Sequence, residues 1–219
     1  MTDLSLVIGN KNYSSWSFRP WFLLKHFKID FEEIPILLSQ ENTKDILAPY
    51  SPSLKVPVLI HQDLTIWDSL AICEYASEVF LAGKAWPSAS DDRAFARSVS
   101  AEMHSGFFSI RSEMPMNCRR QIKNFKPSSE ADIEITRVAK IWNQCRNRYA
   151  ASGPWLFGKF SIADAMFGPV ALRFSSYGIE LDKVGNGYVK TVLSHPDTIA
   201  WVEASKLETA VIPCEEVGD

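Results

Sequence analysis

The sequence has 219 residues, of which 46% are hydrophobic and 22% charged, and its formal net charge is −3 at pH 7. A chain of this length and composition is expected to fold into one large domain or two small ones rather than to stay disordered. The near-neutral charge argues against a nucleic-acid partner, and the lack of a long apolar run argues against a membrane span.

Strand and helix patterns alternate along the first 83 residues. Strands are expected at residues 4–8, 31–38, 56–60 and 64–67, and helices at residues 16–27, at 43–47 and from residue 69 to Gly83. Pro35 cannot donate a ladder hydrogen bond, so the second strand is expected at a sheet edge. This order, βαβ followed by ββα, predicts a small mixed sheet with helices packed on it.

The rest of the chain carries helical patterns only. Trp86-Pro87 lies in a loop expected to link two domains. Helices are expected at residues 91–113, 128–151, 161–174 and 196–207, and Ser161 with Asp164 predicts a capping box. The predicted domains are therefore 1–83, a linker at 84–90, and an all-α domain at 91–219.

Cysteine usage favours a reducing environment. The four cysteines, Cys73, Cys118, Cys145 and Cys214, are widely spaced, with no C-x-x-C motif and no nearby histidine pair. This spacing argues against a zinc site and against a redox pair, so no metal is expected. The N-terminus lacks a signal-peptide pattern, and a chain this large needs no disulfides, so a cytoplasmic protein is expected.

Three serines crowd the junction between the first strand and the first helix. Ser14, Ser15 and Ser17 stand where backbone N–H groups lack helical partners. Such a helix start favours an anion, because the free N–H groups and the helix dipole both supply positive potential. A plain helix N-cap explains the same serines.

Four segments in register resemble the cytosolic glutathione transferases. They are S-S-W-S-F-R at residues 14–19, K-V-P-V-L at 55–59, W-D-S-L-A-I at 67–72, and W-L-F-G to S-I-A-D-A at 155–165. The first is similar to the S-S-C-S/A-W-R signature of the zeta class, the maleylacetoacetate isomerase family. The resemblance implies the glutathione transferase fold, a thioredoxin-like βαβ-ββα domain followed by an all-helical domain.

The resemblance also implies glutathione as co-substrate and a serine-type mechanism. A free thiol has a pKa of roughly 8.5, so the enzyme must favour the thiolate before it can attack a small electrophile. Ser14 and Ser15 both match the serine pair of the family, and the sequence does not separate them. Tyr13 is a third candidate, because other transferases use a phenol, although a packing role explains it as well.

Other positions of the resemblance are expected to bind the rest of glutathione. Val56 and Pro57 match the segment whose cis-proline presents a backbone edge to the tripeptide. Asp68 and Ser69 match the segment that binds the γ-glutamyl end, and Lys44 is placed to pair with the glycyl carboxylate. A strand-start proline, a helix N-cap and a solvated lysine are the respective structural alternatives.

The electrophile is expected between the two domains. His104, Phe107, Phe108 and Arg111 fall at i, i+3, i+4 and i+7, which places them on one face of the helix predicted at residues 91–113. Histidine and arginine among aromatics are less core-like than a purely apolar stripe, and Arg111 suits an anionic electrophile. Packing in the core is the alternative explanation.

The transferase activity implied by the resemblance has two alternatives. Trp16 stands where the zeta signature has cysteine, which disfavours glutathione-dependent maleylacetoacetate cis–trans isomerisation but leaves it as an alternative. A non-catalytic module for protein association is the other, because fold does not imply function. The resemblance further implies a homodimer and a role in detoxification.

Overall fold

A four-stranded sheet and nine α-helices form the structure, a computed structural model that describes residues 3–218. The strands are β1 Leu4–Ile8, β2 Glu32–Pro35, β3 Val58–His61 and β4 Leu64–Ile66. The helices are α1 Ser15–His26, α2 Thr43–Leu47, α3 Ser69–Leu81, α4 Ser90–Ser105, α5 Phe108–Glu113, α6 Ser129–Tyr149, α7 Ile162–Ser176, α8 Lys183–Leu193 and α9 Pro196–Lys206, with short 3-10 turns at Ala150–Ser152 and Pro213–Glu215. Among residues 3–218 no helix has the length and apolar character needed to cross a membrane.

The sheet is mixed, as predicted, and its strand order is β2-β1-β3-β4. Strand β1 pairs in parallel with β2 and antiparallel with β3, and β3 pairs antiparallel with β4. Because β2 has only one neighbour, Pro35 lies on an edge strand, which confirms that prediction. The thioredoxin-like sheet with helices on it is followed by an all-helical region, so the predicted fold class is confirmed.

Both faces of the sheet are covered by apolar side chains. Leu6 and Ile8 of β1 point into the main hydrophobic core, while Val7 points the other way and packs with Leu47 and Val58. This alternation follows from the period of two along a strand. The sheet is therefore buried on the side of α1 and α3 and also on the side of α2.

Helix α1 joins the sheet to the helical region. Its Phe18 packs so closely on α7 that a Cβ at Gly168 would lie 2.8 Å from the Phe18 ring. The Nε of buried Arg19 donates to the carbonyl of Met166, also in α7, at 3.1 Å. One hydrophobic core therefore contains residues of both regions, and the first turn of α1 faces the helices.

The segment between α3 and α4 is packed rather than free. Trp86 is buried, and its Nε1 donates to Glu74 at 2.8 Å. The backbone N–H of Ile162 donates to the carbonyl of Ala85 at 2.9 Å. The domain boundaries on either side of this segment stay a prediction.

The prediction of a single helix at residues 91–113 is wrong, because two helices form there. Helix α4 ends at Ser105, and Gly106 is extended with its N–H bonded to Glu102. A Cβ at Gly106 would lie 2.9 Å from the Glu102 carbonyl oxygen, so only glycine fits there without a shift. Phe107 then takes a left-handed conformation with φ of 58°, and α5 starts in a new direction.

Helix α8 has no counterpart among the predicted elements. Two glycines, Gly185 and Gly187, lower the helix propensity of this segment. Tertiary packing compensates, because Tyr188 and Val192 are buried. Asp182 also caps the helix by accepting a hydrogen bond from the Gly185 N–H at 2.8 Å.

The predicted capping box at the start of α7 is confirmed. The backbone N–H and the hydroxyl of Ser161 donate to one oxygen of Asp164, at 2.9 and 3.0 Å. The other oxygen accepts from the Leu156 N–H at 2.9 Å and from the Tyr188 hydroxyl at 3.1 Å. Asp164 is fully buried, so this one carboxylate holds the preceding turn, α7 and α8 together.

The C-terminal segment lies against the loop that follows β1. The Glu208 carboxylate accepts hydrogen bonds from the backbone N–H groups of Lys11 and Asn12, at 2.6 and 3.0 Å. Trp201 of α9 donates from Nε1 to the carbonyl of Lys11 at 2.7 Å. The end of the chain therefore fixes the loop that leads into α1.

Candidate functional site

Ser14 is the N-cap of α1 and is held by neighbouring groups. Its Oγ accepts from the Ser17 N–H at 3.4 Å and lies 2.7 Å from the Ser17 Oγ. Ser17 in turn accepts from the Gly9 N–H at 3.0 Å, which ties the helix start to the end of β1. The capping interpretation of the serine cluster is thus correct for Ser14.

Ser15 is held differently, by a buried arginine from the helical region. The Nη2 of Arg173 donates to the Ser15 Oγ at 3.1 Å, and the Nε of Arg173 donates to the carbonyl of Met114 at 2.7 Å. Because its oxygen already accepts a bond, the Ser15 hydroxyl is oriented to donate its own proton elsewhere. That proton has no acceptor among the residues the structure describes.

The Tyr13 hydroxyl is hydrogen-bonded to the C-terminal segment. It accepts from the Nη2 of Arg119 at 2.7 Å and donates to the Glu216 carboxylate. Burial, together with the bond to Glu216, raises the pKa of Tyr13 above its ordinary value. The phenol therefore lacks a free proton to offer a thiolate.

A cavity of about 930 Å³ opens beside the two serines. This size is within the usual range for a small-molecule site. Eight of the residues singled out by the sequence line it: Tyr13, Ser14, Ser15, Trp16, Lys44, Val56, Phe108 and Arg111. Pro57, Asp68, Ser69, His104 and Phe107 are not among the lining residues.

The wall opposite α1 offers an extended backbone segment. The N–H and C=O of Val56 bond to no other group within residues 3–218, so they are open to a ligand. Ser51 fixes this segment, because its Oγ donates to the carbonyl of Lys55 at 2.8 Å and accepts from the Lys55 N–H at 3.1 Å. The Val56–Pro57 peptide bond is cis, as the resemblance implied, and Pro57 is buried behind the edge.

Asp68 and Ser69 lie at the start of α3. One carboxylate oxygen of Asp68 caps the helix by accepting from the Leu70 and Ala71 N–H groups, at 3.1 and 3.4 Å. Its other oxygen lies 2.9 Å from the Nε2 of His104. Ser69 is fully buried, and its hydroxyl has no hydrogen-bond partner within the described chain.

Trp16 connects this group to the cavity. The His104 ring meets the Trp16 ring edge-on at 5.5 Å between centroids. The guanidinium of Arg19 stacks on the Trp16 ring at 4.0 Å, and that of Arg111 lies 5.3 Å from it. The tryptophan that replaces cysteine in the signature is therefore surrounded by cationic and polar side chains.

Positive charge dominates the inner wall of the cavity. Arg111 and Arg173 line the cavity, while Arg19 is fully buried behind the Trp16 ring. Burial lowers the pKa of Arg173 to about 10 and also lowers the pKa values of Arg19 and Arg111. Nη1 of Arg173 and both Nη atoms of Arg19 are buried without a hydrogen-bond partner in residues 3–218. Glu215 also lines the cavity, but burial raises its pKa. An anion bound here would meet cationic groups that are already desolvated.

The face predicted for the electrophile does not form as a single helical face. Because the chain breaks at Gly106, Phe107 turns into the core at 6% exposure while Phe108 is 67% exposed on the cavity rim. His104 faces Asp68 rather than the cavity. Only Phe108 and Arg111 of the four line it, with the Arg111 guanidinium 4.6 Å from the Phe108 ring.

Arg173 and Glu215 are lining residues that the sequence analysis missed. Arg173 lies among apolar residues in the helix predicted at residues 161–174. A lone arginine in such a run is a signal, because arginine is seldom buried without a partner or a role. Glu215 lies in a segment without a regular pattern. Its position follows only from the path of the C-terminal segment.

Comparison with known proteins identifies the fold. Residues 13–79 match the family model described as glutathione S-transferase, N-terminal domain. A solved glutathione transferase homologue from Burkholderia, strain BGR1, with bound glutathione, superposes with a TM-score of 0.69 at 22% identity, over 94% of this chain and 99% of that one. The chain has the glutathione transferase fold.

Other solved structures with the glutathione transferase fold superpose equally well. A glutathione transferase from Methylococcus capsulatus gives a TM-score of 0.66 at 20% identity, over 94% of this chain and 100% of that one. A diazinon-metabolizing glutathione S-transferase from the silkworm Bombyx mori gives 0.71 at 15% identity, over 92% and 97%. A search among curated proteins found no match.

Proposed function

We propose that the chain is a serine-type glutathione transferase with a zeta-like active site. The observation that carries the proposal is the Ser15 hydroxyl, whose oxygen accepts from Arg173 and whose proton is unclaimed, at the mouth of the cavity beside α1. A thiolate placed there would accept a hydrogen bond from the Ser15 hydroxyl. The start of α1 and the buried guanidinium add positive potential.

The tripeptide is proposed to run along the wall opposite α1. Its cysteinyl backbone pairs with the open N–H and C=O of Val56, as an added strand would. The hydroxyl of Ser69, buried and unpartnered, suits the γ-glutamyl carboxylate, and Asp68 suits the ammonium group. Lys44 lies at the cavity edge, where it suits the glycyl carboxylate.

The pKa of bound glutathione tests the mechanism. We expect the thiol to titrate below about 7.5 on the protein, against its ordinary value of about 8.5. The ultraviolet absorbance of the thiolate, followed against pH with excess protein, measures this. Retention on immobilised glutathione without any fall in thiol pKa would favour a binding module over an enzyme, and no retention would remove glutathione from the proposal.

The electrophile is proposed to be a small anion. Arg111 is half-buried and lines the cavity, and its pKa is lowered by burial. An acidic substituent on the electrophile would form a charge-assisted bond with it. Phe108 on the rim would cover the apolar part of such a substrate.

Changing Arg111→Gln is expected to raise KM for a carboxylate-bearing electrophile about tenfold. A hydrogen bond to a charged group contributes roughly 1.5 kcal/mol or more, and that energy corresponds to about a tenfold change. Steady-state kinetics would measure this, with a neutral electrophile of the same reactive group as comparison. Arg137→Gln is the matched control, because Arg137 pairs with Glu102 outside the cavity. Equal losses with the charged and neutral electrophiles would contradict the proposed role.

Maleylacetoacetate isomerisation is a second candidate. The cationic wall formed by Arg111 and Arg173 suits a dicarboxylic substrate, while Trp16 replaces the cysteine of the zeta signature. Direct turnover of maleylacetoacetate, at a rate above that with simple anionic electrophiles, would favour the isomerase.

Homodimer formation in the cytoplasm and a role in detoxification are further proposals. Leu64 in β4, Trp67 just after it and Val79 in α3 are 48%, 46% and 47% exposed. Apolar side chains this exposed suit an interface between two copies. Light scattering of the purified chain at micromolar concentration would test the dimer.

A further inference from the structure

Two histidines from distant parts of the sequence meet at the C-terminal end of α1, opposite the end that carries the serines. His26 lies in the last turn of α1, and His195 is the N-cap of α9. Their facing nitrogens, Nδ1 of His26 and Nε2 of His195, are 3.1 Å apart. Asp197 Oδ2 lies 3.5 Å from the other ring nitrogen of His195. Within residues 3–218 these three form the single group of His, Cys, Asp or Glu residues with ligand atoms all within 4.8 Å.

The distance between the two imidazoles suits shared coordination of one ion. Two histidine nitrogens that each lie 2.0–2.1 Å from a tetrahedral zinc ion are about 3.3–3.4 Å apart. His26 and His195 therefore need to separate by a few tenths of an ångström and to rotate so that both nitrogens point at an ion beside the line that joins them. Imidazole pairs of this kind suit zinc, copper, iron and nickel.

Surrounding rings fix the two imidazoles in place. His26 stacks on Phe160 at 3.9 Å between centroids, and His195 meets Phe22 and Trp155 edge-on at 5.1 and 5.4 Å. His26 also lines a cavity of about 820 Å³, through which an ion and its remaining water ligands can enter. Preorganised ligands of this kind favour binding, because few side-chain motions are lost.

Both rings are neutral in their ordinary hydrogen-bonding arrangement. Nδ1 of His195 accepts from the Asp197 N–H at 3.2 Å, so its proton resides on Nε2 and points at Nδ1 of His26. Neutral imidazole is the form that binds metal.

We propose that His26 and His195 bind a divalent transition-metal ion of the zinc class, with Asp197 orienting His195. The ion occupies the place of the Nε2 proton between the rings. That proton leaves to solvent and Nδ1 of His195 takes one up, so the ring stays neutral. The new Nδ1–H then donates to the Asp197 carboxylate, and this bond replaces the one that Nδ1 accepts from the Asp197 N–H. The result is the carboxylate–histidine–metal arrangement that fixes ligand rings in many sites.

This site replaces the expectation of no metal, which rested on local spacing. The histidines are 169 positions apart in sequence, so no spacing rule would join them. The ion would link α1, which carries the serines, to α9. The inference does not depend on the proposed transferase activity.

Zinc titration of the full chain tests the site. The chain carries Cys214→Ser, because Cys214 is an exposed thiol that binds zinc by itself, and glutathione is left out because it chelates metals. Calorimetry is expected to show one zinc ion per chain, and zinc is expected to raise the melting temperature by several degrees. Cobalt is expected to give the visible absorption of a nitrogen-ligated ion.

Two variants and one control assign the ligands. His26→Gln removes one ligand, and His195→Asn removes the other while keeping a good helix cap. Each is expected to weaken zinc binding at least tenfold and to abolish the rise in melting temperature. His61→Gln is the matched control, because His61 is partly buried and bonds to Tyr75 at 2.8 Å, away from this pair.

Two results would overturn the site. One is the lack of saturable zinc binding by the chain with both histidines intact, which needs no variant to fold. The other is binding that survives His195→Asn in a protein whose circular dichroism is unchanged.

Discussion

Replacing Ser15 with alanine is expected to lower kcat/KM about a hundredfold, the scale seen when one preorganised donor to a developing anion is removed. The change deletes a hydroxyl at the helix start whose oxygen accepts from Arg173 and whose proton bonds to no group within residues 3–218. It also leaves the Nη2 of Arg173 without its partner at 3.1 Å. The pKa of bound glutathione should rise toward that of the free thiol, which the thiolate absorbance would record.

Ser14→Ala is the matched comparison. Ser14 caps α1 and bonds to Ser17, so its loss is expected to cost about 1 kcal/mol of stability and to lower kcat/KM less than tenfold. If Ser14→Ala raised the thiol pKa and Ser15→Ala did not, the donor would be Ser14. If neither change altered the thiol pKa, a serine-type mechanism would be wrong.

Replacing Asp164 with alanine is expected to lower the free energy of unfolding by on the order of 3 kcal/mol, because each unsatisfied buried donor costs about 1–3 kcal/mol. The carboxylate accepts four hydrogen bonds and is fully buried. The change leaves the N–H groups of Leu156 and Ser161 and the hydroxyl of Tyr188 without acceptors. Denaturant unfolding followed by tryptophan fluorescence would measure the loss.

Asp132→Ala provides the control for Asp164. Asp132 also lies in the first turn of a helix, α6, but it is exposed. Its loss is expected to cost less than about 1 kcal/mol, the usual size of a favourable charge near a helix N-terminus. Equal effects of the two changes would mean that the capping box contributes no more than a surface charge.

The strands and most helices were predictable because local patterns specify them. The alternation in Leu4–Ile8 places Leu6 and Ile8 on one face and Val7 on the other, as the structure has them. The caps at Asp68 and Ser161 likewise depend on residues two or three positions away. The break after Ser105 was not predicted, since the polar and apolar pattern continues through Gly106 and only the backbone geometry interrupts the helix.

The site was predictable as far as it depends on contiguous segments. The serine pair, Val56 and Arg111, each singled out from its local segment, line one cavity. Arg173 and Glu215 join it from segments 158 and more positions away from Ser15, and nothing local in the sequence fixes that approach. The histidine pair is a case of the same kind, because tertiary packing alone brings His26 to His195.

The hydrogen bonds that Glu208 accepts from the N–H groups of Lys11 and Asn12 affect the order in which the chain folds. They join positions 197 and 196 residues apart, so their closure is among the most non-local events in folding and is expected to come late. During synthesis the N-terminal part emerges first, and it contains all four strands of the sheet. The loop that leads to Ser14 and Ser15 cannot bond to the Glu208 carboxylate until α9 and the residues that follow it have left the ribosome. Under the proposed function, the thiol site would therefore be completed only after the segment that carries Glu208 has been made.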